Sequence, residues 1–259
     1  MNVQDKINIL YNNCKNLLSY EFDNSIEIKN VDEAYLIQDS FINLKKKNGF
    51  GEIGGWKVAL TNPEMQKLVG VDNPVEGAIL NSLIYKNNVS LKLENYCHLG
   101  VEAEIALKIH KDIPSKINGF NSKEEITPYL KEVMIALEIV DDRNSGANIT
   151  FEKLIAQNSM NYGCVIGEPI EMDLMTLDEL EGELIVSDNI FGRGKGKNVL
   201  QHPLNSVLYL VNNLIKRGRK LYAGDIVLTG SISTTCWPKS GDKVEAHIDK
   251  LNNVSLNIF

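Results

Sequence analysis

Residues 101 to 109 read VEAEIALKI, a strand-like run that carries two glutamates. Successive strand side chains point to opposite faces, so Val101, Ala103, Ile105, Leu107 and Ile109 form one face while Glu102, Glu104 and Lys108 share the other. A solvated polar face accounts for that pattern, and so does a cation held between two carboxylates. A third acid, Glu138, lies in VMIALEIV, an apolar run with no other polar side chain. A carboxylate buried there has to be paired or metal-bound. Two arrangements satisfy it. One is a salt bridge to Arg143; the other is convergence with Glu102 and Glu104 on a hard divalent cation such as Mg2+ or Mn2+, which takes oxygen ligands and leaves positions for water or substrate. Lys57, in GGWKVALT between Trp56 and Val58, either snorkels to solvent or is buried beside those acids. In the second case it supplies positive charge and a proton to a developing oxyanion.

Other chemistries find less support. The four cysteines, Cys14, Cys97, Cys164 and Cys236, include no CxxC pair, which argues against zinc and for reduced thiols in a cytosol. There is no GxSxG elbow. The glycine-rich FGRGKGKNV at 191 to 199 lacks the GK[ST] ending of a phosphate loop and reads as a mobile loop. His202, just before Pro203, reads as a helix cap or a solvent-facing residue.

The elements that must position these residues follow from periodicity. Residues 1 to 50 read as helical, with a second helix from Val31 to about Lys47 capped by Asn30 or Asp32. From residue 51 to 259 short strand-like runs dominate, among them GGWKVAL, AILNSLIY, LGVEAEIALKI, VMIALEIV, GELIVSDNIFGRGKG, AGDIVLTGS, GDKVEAHI and NVSLNIF. KEEITPYLKEV reads as a helix, and so does HPLNSVLYLVNNLIKRG, with Pro203 in its first turn and Gly218 closing it. The chain is therefore read as α+β, a helical amino-terminal segment (1–50) ahead of a β-rich catalytic domain (51–259). Strands and helices do not alternate regularly, which disfavours a doubly wound parallel sheet.

Of the 259 residues 43% are hydrophobic and 24% charged, enough to bury a sizeable core. A net charge of −7, with basic residues clustered only at helix-like ends, argues against nucleic-acid or membrane-surface partners. No stretch approaches the roughly 20 apolar residues of a membrane span. A soluble cytoplasmic protein is expected.

Taken together, DEAYLIQ at 32 to 38, GWKVALTNPEMQ at 55 to 66, GVEAEIAL at 100 to 107, ALEIVDDR at 136 to 143, QNSMNYGCVIG at 157 to 167, HPLNSVLYLVNNL at 202 to 214 and GDIVLTGS at 224 to 231 carry a resemblance. In order and spacing they resemble the hydratase/decarboxylase branch of the fumarylacetoacetate hydrolase superfamily. The resemblance implies a mixed β-sandwich or roll, usually as a homo-oligomer. It implies Mg2+ or Mn2+ held by Glu102, Glu104 and Glu138, with Lys57 as the motif lysine. Substrate contacts are implied from Leu60, Thr61, Asn158, Ser159 and Ser231. The implied activity is a metal-dependent lyase that hydrates a 2-hydroxy-2,4-dienoate or 2-oxo-4-enoate. The alternatives are decarboxylation of 4-oxalocrotonate and a non-catalytic oxo-acid-binding relative. Hydrolytic C–C cleavage fits less well, since the amino-terminal third has no His-Glu pair. Three positions depart from the family pattern: Val75 stands where an acid is common, with Glu76 one residue later; Gln157 replaces a common aspartate; and Trp237 is bulkier than the usual small apolar residue.

Overall fold

Asn2 and Asn30 start the first two helices by accepting hydrogen bonds from the backbone amides of Asp5 and Glu33, which the helices themselves leave unpaired. α1 (Val3–Lys15) buries Ile7, Leu10 and Cys14 at helical spacing. α2 (Val31–Lys45) buries Ala34, Ile37, Phe41 and Ile42. The computed structural model describes residues 1–115, 118–146 and 149–259, with Leu68 described by its backbone alone.

After these helices come β1 (Ile53–Ala59), α3 (Pro63–Val69), β2 (Val75–Leu80), β3 (Ile84–Lys86), β4 (Val89–Leu91) and β5 (Leu99–Ile109). Next are α4 (Lys123–Ile126), β6 (Leu130–Asp141), α5 (Phe151–Ala156), β7 (Asn161–Ile166), β8 (Ile170–Glu171), β9 (Glu181–Val186) and β10 (Asn189–Lys195). The chain finishes with α6 (Pro203–Lys216), β11 (Ile226–Ser231), β12 (Lys243–Ile248) and β13 (Val254–Ile258). Among the described residues the strands form two sheets. One has the order β2-β1-β11-β5-β6-β7-β3 with β8 beside β6, and the other β10-β9-β12-β13-β4. Both are mixed: β1 runs parallel to β11, β3 to β7 and β4 to β13, while the other pairings are antiparallel. The α+β reading holds.

The main core lies between the sheets and under α6. Val101, Ala103, Ile105 and Leu107 of β5 and Val133, Ile135, Leu137 and Ile139 of β6 share one buried cluster with Val244, Val254 and Leu256 of the smaller sheet. Leu204, Val207, Leu210 and Leu214 of α6 complete that cluster. Each such side chain removed from water contributes about 1.5–3 kcal/mol before chain entropy is counted. The opposite face of the larger sheet rolls inward until β2 touches β7. It encloses a second, narrow core of Ile79, Ala106, Met134, Ala136, Cys164, Ile226 and Leu228. Room is tight: a Cβ on Gly77 would lie 2.5 Å from the Asn158 carbonyl oxygen. Because Glu102, Glu104 and Ala106 alternate with the main-core residues, the acids project from this inner face.

Two local expectations are corrected. FGRGKGKNV is not a loop: Asn189–Lys195 pairs antiparallel with β9, and Glu183–Arg193 and Glu181–Lys195 are cross-strand ion pairs. Its glycines permit close approach instead of motion, since a Cβ on Gly194 would lie 1.6 Å from the Ile232 carbonyl oxygen. KEEITPYLKEV is α-helical only over Lys123–Ile126, followed by one 3-10 turn over Thr127–Tyr129, and β6 has already begun at Leu130; Pro128 has no amide hydrogen with which to extend the α-helical ladder. His202 does cap α6, its Nδ1 accepting the Leu204 amide at 3.1 Å. No helix among the described residues is long and apolar enough to cross a membrane.

Candidate metal and active site

The antiparallel register of β5 and β6 sets Glu102 directly opposite Glu138, and Glu104 follows on the same face of β5. One carboxylate oxygen from each lies within 4.8 Å of the other two. Lys57, on β1, brings its Nζ to 3.1 Å from Glu138 Oε1, and both side chains are buried. Asn161, the first residue of β7, donates to that same oxygen at 3.0 Å. The Gly230 amide donates to Glu104 Oε2 at 2.7 Å, and the Thr235 hydroxyl donates to Glu102 Oε1.

Two buried acceptors remain without a partner, Glu104 Oε1 and Glu138 Oε2. An orphaned buried oxygen costs about 1–3 kcal/mol, more for a charged group. With three carboxylates against one ammonium, the ionised cluster keeps two negative charges. An all-oxygen donor set with that charge and two unused oxygens fits a hard divalent cation. Cys164 lies opposite Glu138 on β7, and burial and then the charges of Glu138 and Glu104 push its thiol up.

Electrostatics follow the same geometry. Burial, then Glu138, raises the Glu102 carboxyl; burial, then Glu138 and Glu102, holds that of Glu104 well above the usual range. Burial alone would lower the Lys57 ammonium, yet Glu138, Glu102 and Glu104 outweigh it and hold it above its usual value. The sign of the linkage is then fixed. Without metal the folded protein keeps protons that the unfolded chain releases from about pH 4.5 upward, so its stability falls as pH rises through the elevated Glu102 and Glu104 values. Lys57 stays charged throughout and adds no slope. Because a metal requires ionised ligands, Mg2+ opposes the fall. Thermal unfolding in EDTA and in Mg2+ should give curves that diverge as pH rises; parallel curves would contradict the assignment.

The expected substrate residues divide into two groups. Thr61, after β1, lies beside the cluster: Gly230, which bonds Glu104, has φ +121°, and a Cβ there would lie 2.3 Å from Thr61 Oγ1, whereas Leu60 packs in an apolar cluster with Val75. Ser231 pairs in register with Glu104, its hydroxyl donating to the Ser233 carbonyl at 2.7 Å. Asn158 and Ser159 do something else. With Met160 they form three successive left-handed residues (φ 57°, 51° and 60°), a costly run for non-glycine side chains. The Asn158 amide bonds both backbone groups of Ala78, at 2.7 and 2.8 Å, and Ser159 Oγ donates to the Glu76 carbonyl at 2.9 Å. They fasten β2, whose Gly77 lies opposite Lys57.

Arg143 does not pair with Glu138. It is buried against Asp23 at 2.7 Å and donates to the Leu18 and Ser19 carbonyls, tying the end of β6 to the amino-terminal segment. Gln157 donates to the same Asp23 carboxylate at 3.2 Å, a bond that an ionised aspartate at that position could not make. Asp23→Ala would strand a buried guanidinium and is expected to cost about 3–5 kcal/mol. Urea unfolding reads this directly, and a loss under 1 kcal/mol would refute it. Glu76, the acid beside the departure at Val75, is also committed, to Arg217, Asn213 and Tyr35. Asn161, Thr235 and the Gly230 amide were not singled out from the sequence. Asn161 and Gly230 lie in noted motifs, QNSMNYGCVIG and GDIVLTGS, while Thr235 lies in none.

Residues 81–258 match the family model described as fumarylacetoacetate (FAA) hydrolase C-terminal. The chain belongs to the fumarylacetoacetate hydrolase family. Among its relatives, a 2-keto-4-pentenoate hydratase of Burkholderia vietnamiensis (strain G4 / LMG 22486) is 33% identical over 222 residues, covering 85% of this chain and 83% of that protein. The 2-keto-4-pentenoate hydratase 1 of Dechloromonas aromatica (strain RCB) is 32% identical over 232 residues, covering 89% and 86%. In fold the chain is similar to 4-oxalocrotonate decarboxylase from Pseudomonas putida G7, complexed with magnesium and adipate. That likeness has a TM-score of 0.90 at 22% identity and covers 99% of this chain and 97% of that one. For this member of the fumarylacetoacetate hydrolase family, the mixed roll implied by the sequence motifs is the fold observed.

Proposed function

We propose that the protein is a metal-dependent lyase that adds water to a 2-hydroxy-2,4-dienoate, through its 2-oxo-enoate tautomer, to give a 4-hydroxy-2-oxo acid. The observation that carries the reading is the set of three convergent carboxylates with two unpartnered buried oxygens, flanked by one buried ammonium. The hydratases at 32–33% identity support it. Glu102, Glu104 and Glu138 would hold Mg2+ or Mn2+. Such a cation supplies Lewis-acid polarisation of the 2-oxygen of a chelating 2-oxo acid. Lys57 holds negative charge on the substrate oxygen and carries a proton during tautomerisation. Asn161 keeps the Glu138 carboxylate oriented, and the Gly230 amide does so for Glu104. Leu60, Thr61 and Ser231 contact the substrate, while Asn158 and Ser159 act through β2.

The test strips metal with a chelator, restores Mg2+ or Mn2+, and follows loss of dienol absorbance from 2-hydroxypenta-2,4-dienoate. Metal-restored decay supports the reading. Carbon dioxide release from 4-oxalocrotonate in its place would reassign the reaction to decarboxylation. Metal-dependent oxalate binding with no turnover of any dienoate would make the protein a binding relative. We infer further that it works in the cytosol as a homo-oligomer in the breakdown of aromatic compounds, a reading that its family and four free cysteines support. Light scattering after size exclusion tests the oligomer.

A further inference from the structure

Gly100 lies two residues before Glu102 on the same face of β5, opposite Val140 of β6. A Cβ there would come within 2.7 Å of Val140 Cγ2, 2.8 Å of Trp237 Cζ3 and 3.1 Å of Thr235 Cγ2. The space left by the missing side chain is thus filled by the Trp237 indole. At two strand residues from Glu102, that is about 7 Å along β5. The ring is fixed from two directions. It stacks on the His98 imidazole with centroids 4.1 Å apart and planes at 6°, and His98 Nδ1 lies 2.6 Å from Asp142 Oδ1. The segment carrying it is pinned to β5, since Val101 and Cys236 exchange both backbone hydrogen bonds, at 2.9 and 3.0 Å, and Thr235 bonds Glu102 itself.

Despite this restraint Trp237 is 41% exposed, whereas Trp56, a core residue, is 2% exposed. A rigid, half-bare indole beside the carboxylate cluster is a surface shaped for contact. Its neighbours are suited to an uncharged ligand: Val140 and the Thr235 methyl flank it, and the ionisable ring against it, His98, is already engaged by Asp142. Val140 and the Thr235 methyl offer a second carboxylate no hydrogen-bond donor. Val75 is fully buried in an apolar cluster with Leu60.

We infer that Trp237, held over Gly100 by His98, is the specificity wall against which the part of the substrate beyond its 2-oxo-acid head packs, and that it selects an uncharged aliphatic or unsaturated tail over one ending in a second carboxylate. The inference rests on the proposed reading of the carboxylate cluster as a metal and oxo-acid site.

Calorimetry with Mg2+ and three inert probes separates the two: oxalate, which is head alone; 2-oxohexanoate, head with an apolar tail; and 2-oxoadipate, the same length with a terminal carboxylate. Wild type should bind 2-oxohexanoate about ten-fold more tightly than 2-oxoadipate. Trp237→Ala should weaken 2-oxohexanoate about ten-fold and leave oxalate within about two-fold, and Trp237→Phe should restore most of the loss. In a Trp56→Phe background the remaining indole emission should change with 2-oxohexanoate more than with oxalate. Equal weakening of oxalate and 2-oxohexanoate in Trp237→Ala, no weakening of either, or equal wild-type affinity for 2-oxohexanoate and 2-oxoadipate would each overturn the wall. Wild-type protein that binds no oxalate in the presence of Mg2+ would overturn the underlying reading and the wall with it.

Discussion

Glu104→Gln is expected to leave a folded protein that no longer responds to Mg2+. The amide has nearly the shape of the carboxylate, and its carbonyl oxygen can still accept the Gly230 amide that Glu104 Oε2 accepts at 2.7 Å. What disappears is one of three clustered charges, and with it one of the two unpartnered oxygens on which cation binding depends. Loss of an outer-shell partner typically costs a metal site 10–100-fold, so removal of a ligand should lower Mg2+ affinity and turnover by more than about 100-fold. Stability should move the other way. In the metal-free protein burial, Glu138 and Glu102 oppose ionisation of Glu104, and a neutral amide removes the cost of holding it protonated above the ordinary carboxylate range or of ionising it there. Thermal unfolding in EDTA should therefore occur at a higher temperature than for wild type, with the further rise on adding Mg2+ abolished. A variant that keeps both its turnover and its Mg2+-induced shift would remove the basis for a metal centre here.

Lys57→Met should separate chemistry from cation binding. Loss of a positioned proton donor costs about 10²–10⁴-fold in rate, and the turnover of this variant should fall in that range. Its affinity for Mg2+ should rise, because the ammonium 3.1 Å from Glu138 repels an incoming cation and competes for the carboxylate. Metal-free, the variant should be less stable by up to about 3–5 kcal/mol, since it leaves a buried carboxylate without its counter-ion, although Asn161 still bonds that group. Excess Mg2+ should restore much of the loss. Loss of turnover together with loss of Mg2+ binding would mean that Lys57 builds the site instead of working in it.

The two variants probe the part of the molecule most readable in advance. Strand alternation alone puts Glu102 and Glu104 on one face of β5, and the apolar surroundings of Glu138 alone require a partner. Both are local properties, and the fold preserves them. Convergence of the three acids is one of two alternatives open from the residues and is implied by the resemblance, but the register that sets Glu102 against Glu138 is a finding of the structure, because pairing across 36 positions leaves no local trace. Arg143 illustrates the limit. Its partner, Asp23, is 120 positions away, and the pairing with Glu138 is offered only because that buried acid needs a counter-charge nearby in sequence. The glycines of β10 misled for a different reason. Glycine marks both chain freedom and close backbone approach, and the Ile232 carbonyl that decides between them comes from elsewhere in the fold. The left-handed run at Asn158–Met160 contradicts local backbone preference outright and is maintained by its bonds to β2.

The three acids come from two neighbouring strands, whereas the groups around them come from β1 and the turn after it, from the start of β7, and from the end of β11 and the segment after it. The cation grip and the walls of the pocket are thus encoded in separate stretches of the gene. Replacements at residues 60–62 or at Trp237 alter the surroundings of the cluster without touching β5 or β6, whereas Thr235 and Cys236 are tied to Glu102 and Val101 and have to be kept. A graft that keeps Thr235 and Cys236 retains the hydrogen bond to Glu102 and the pairing with β5 while changing the residues beside them.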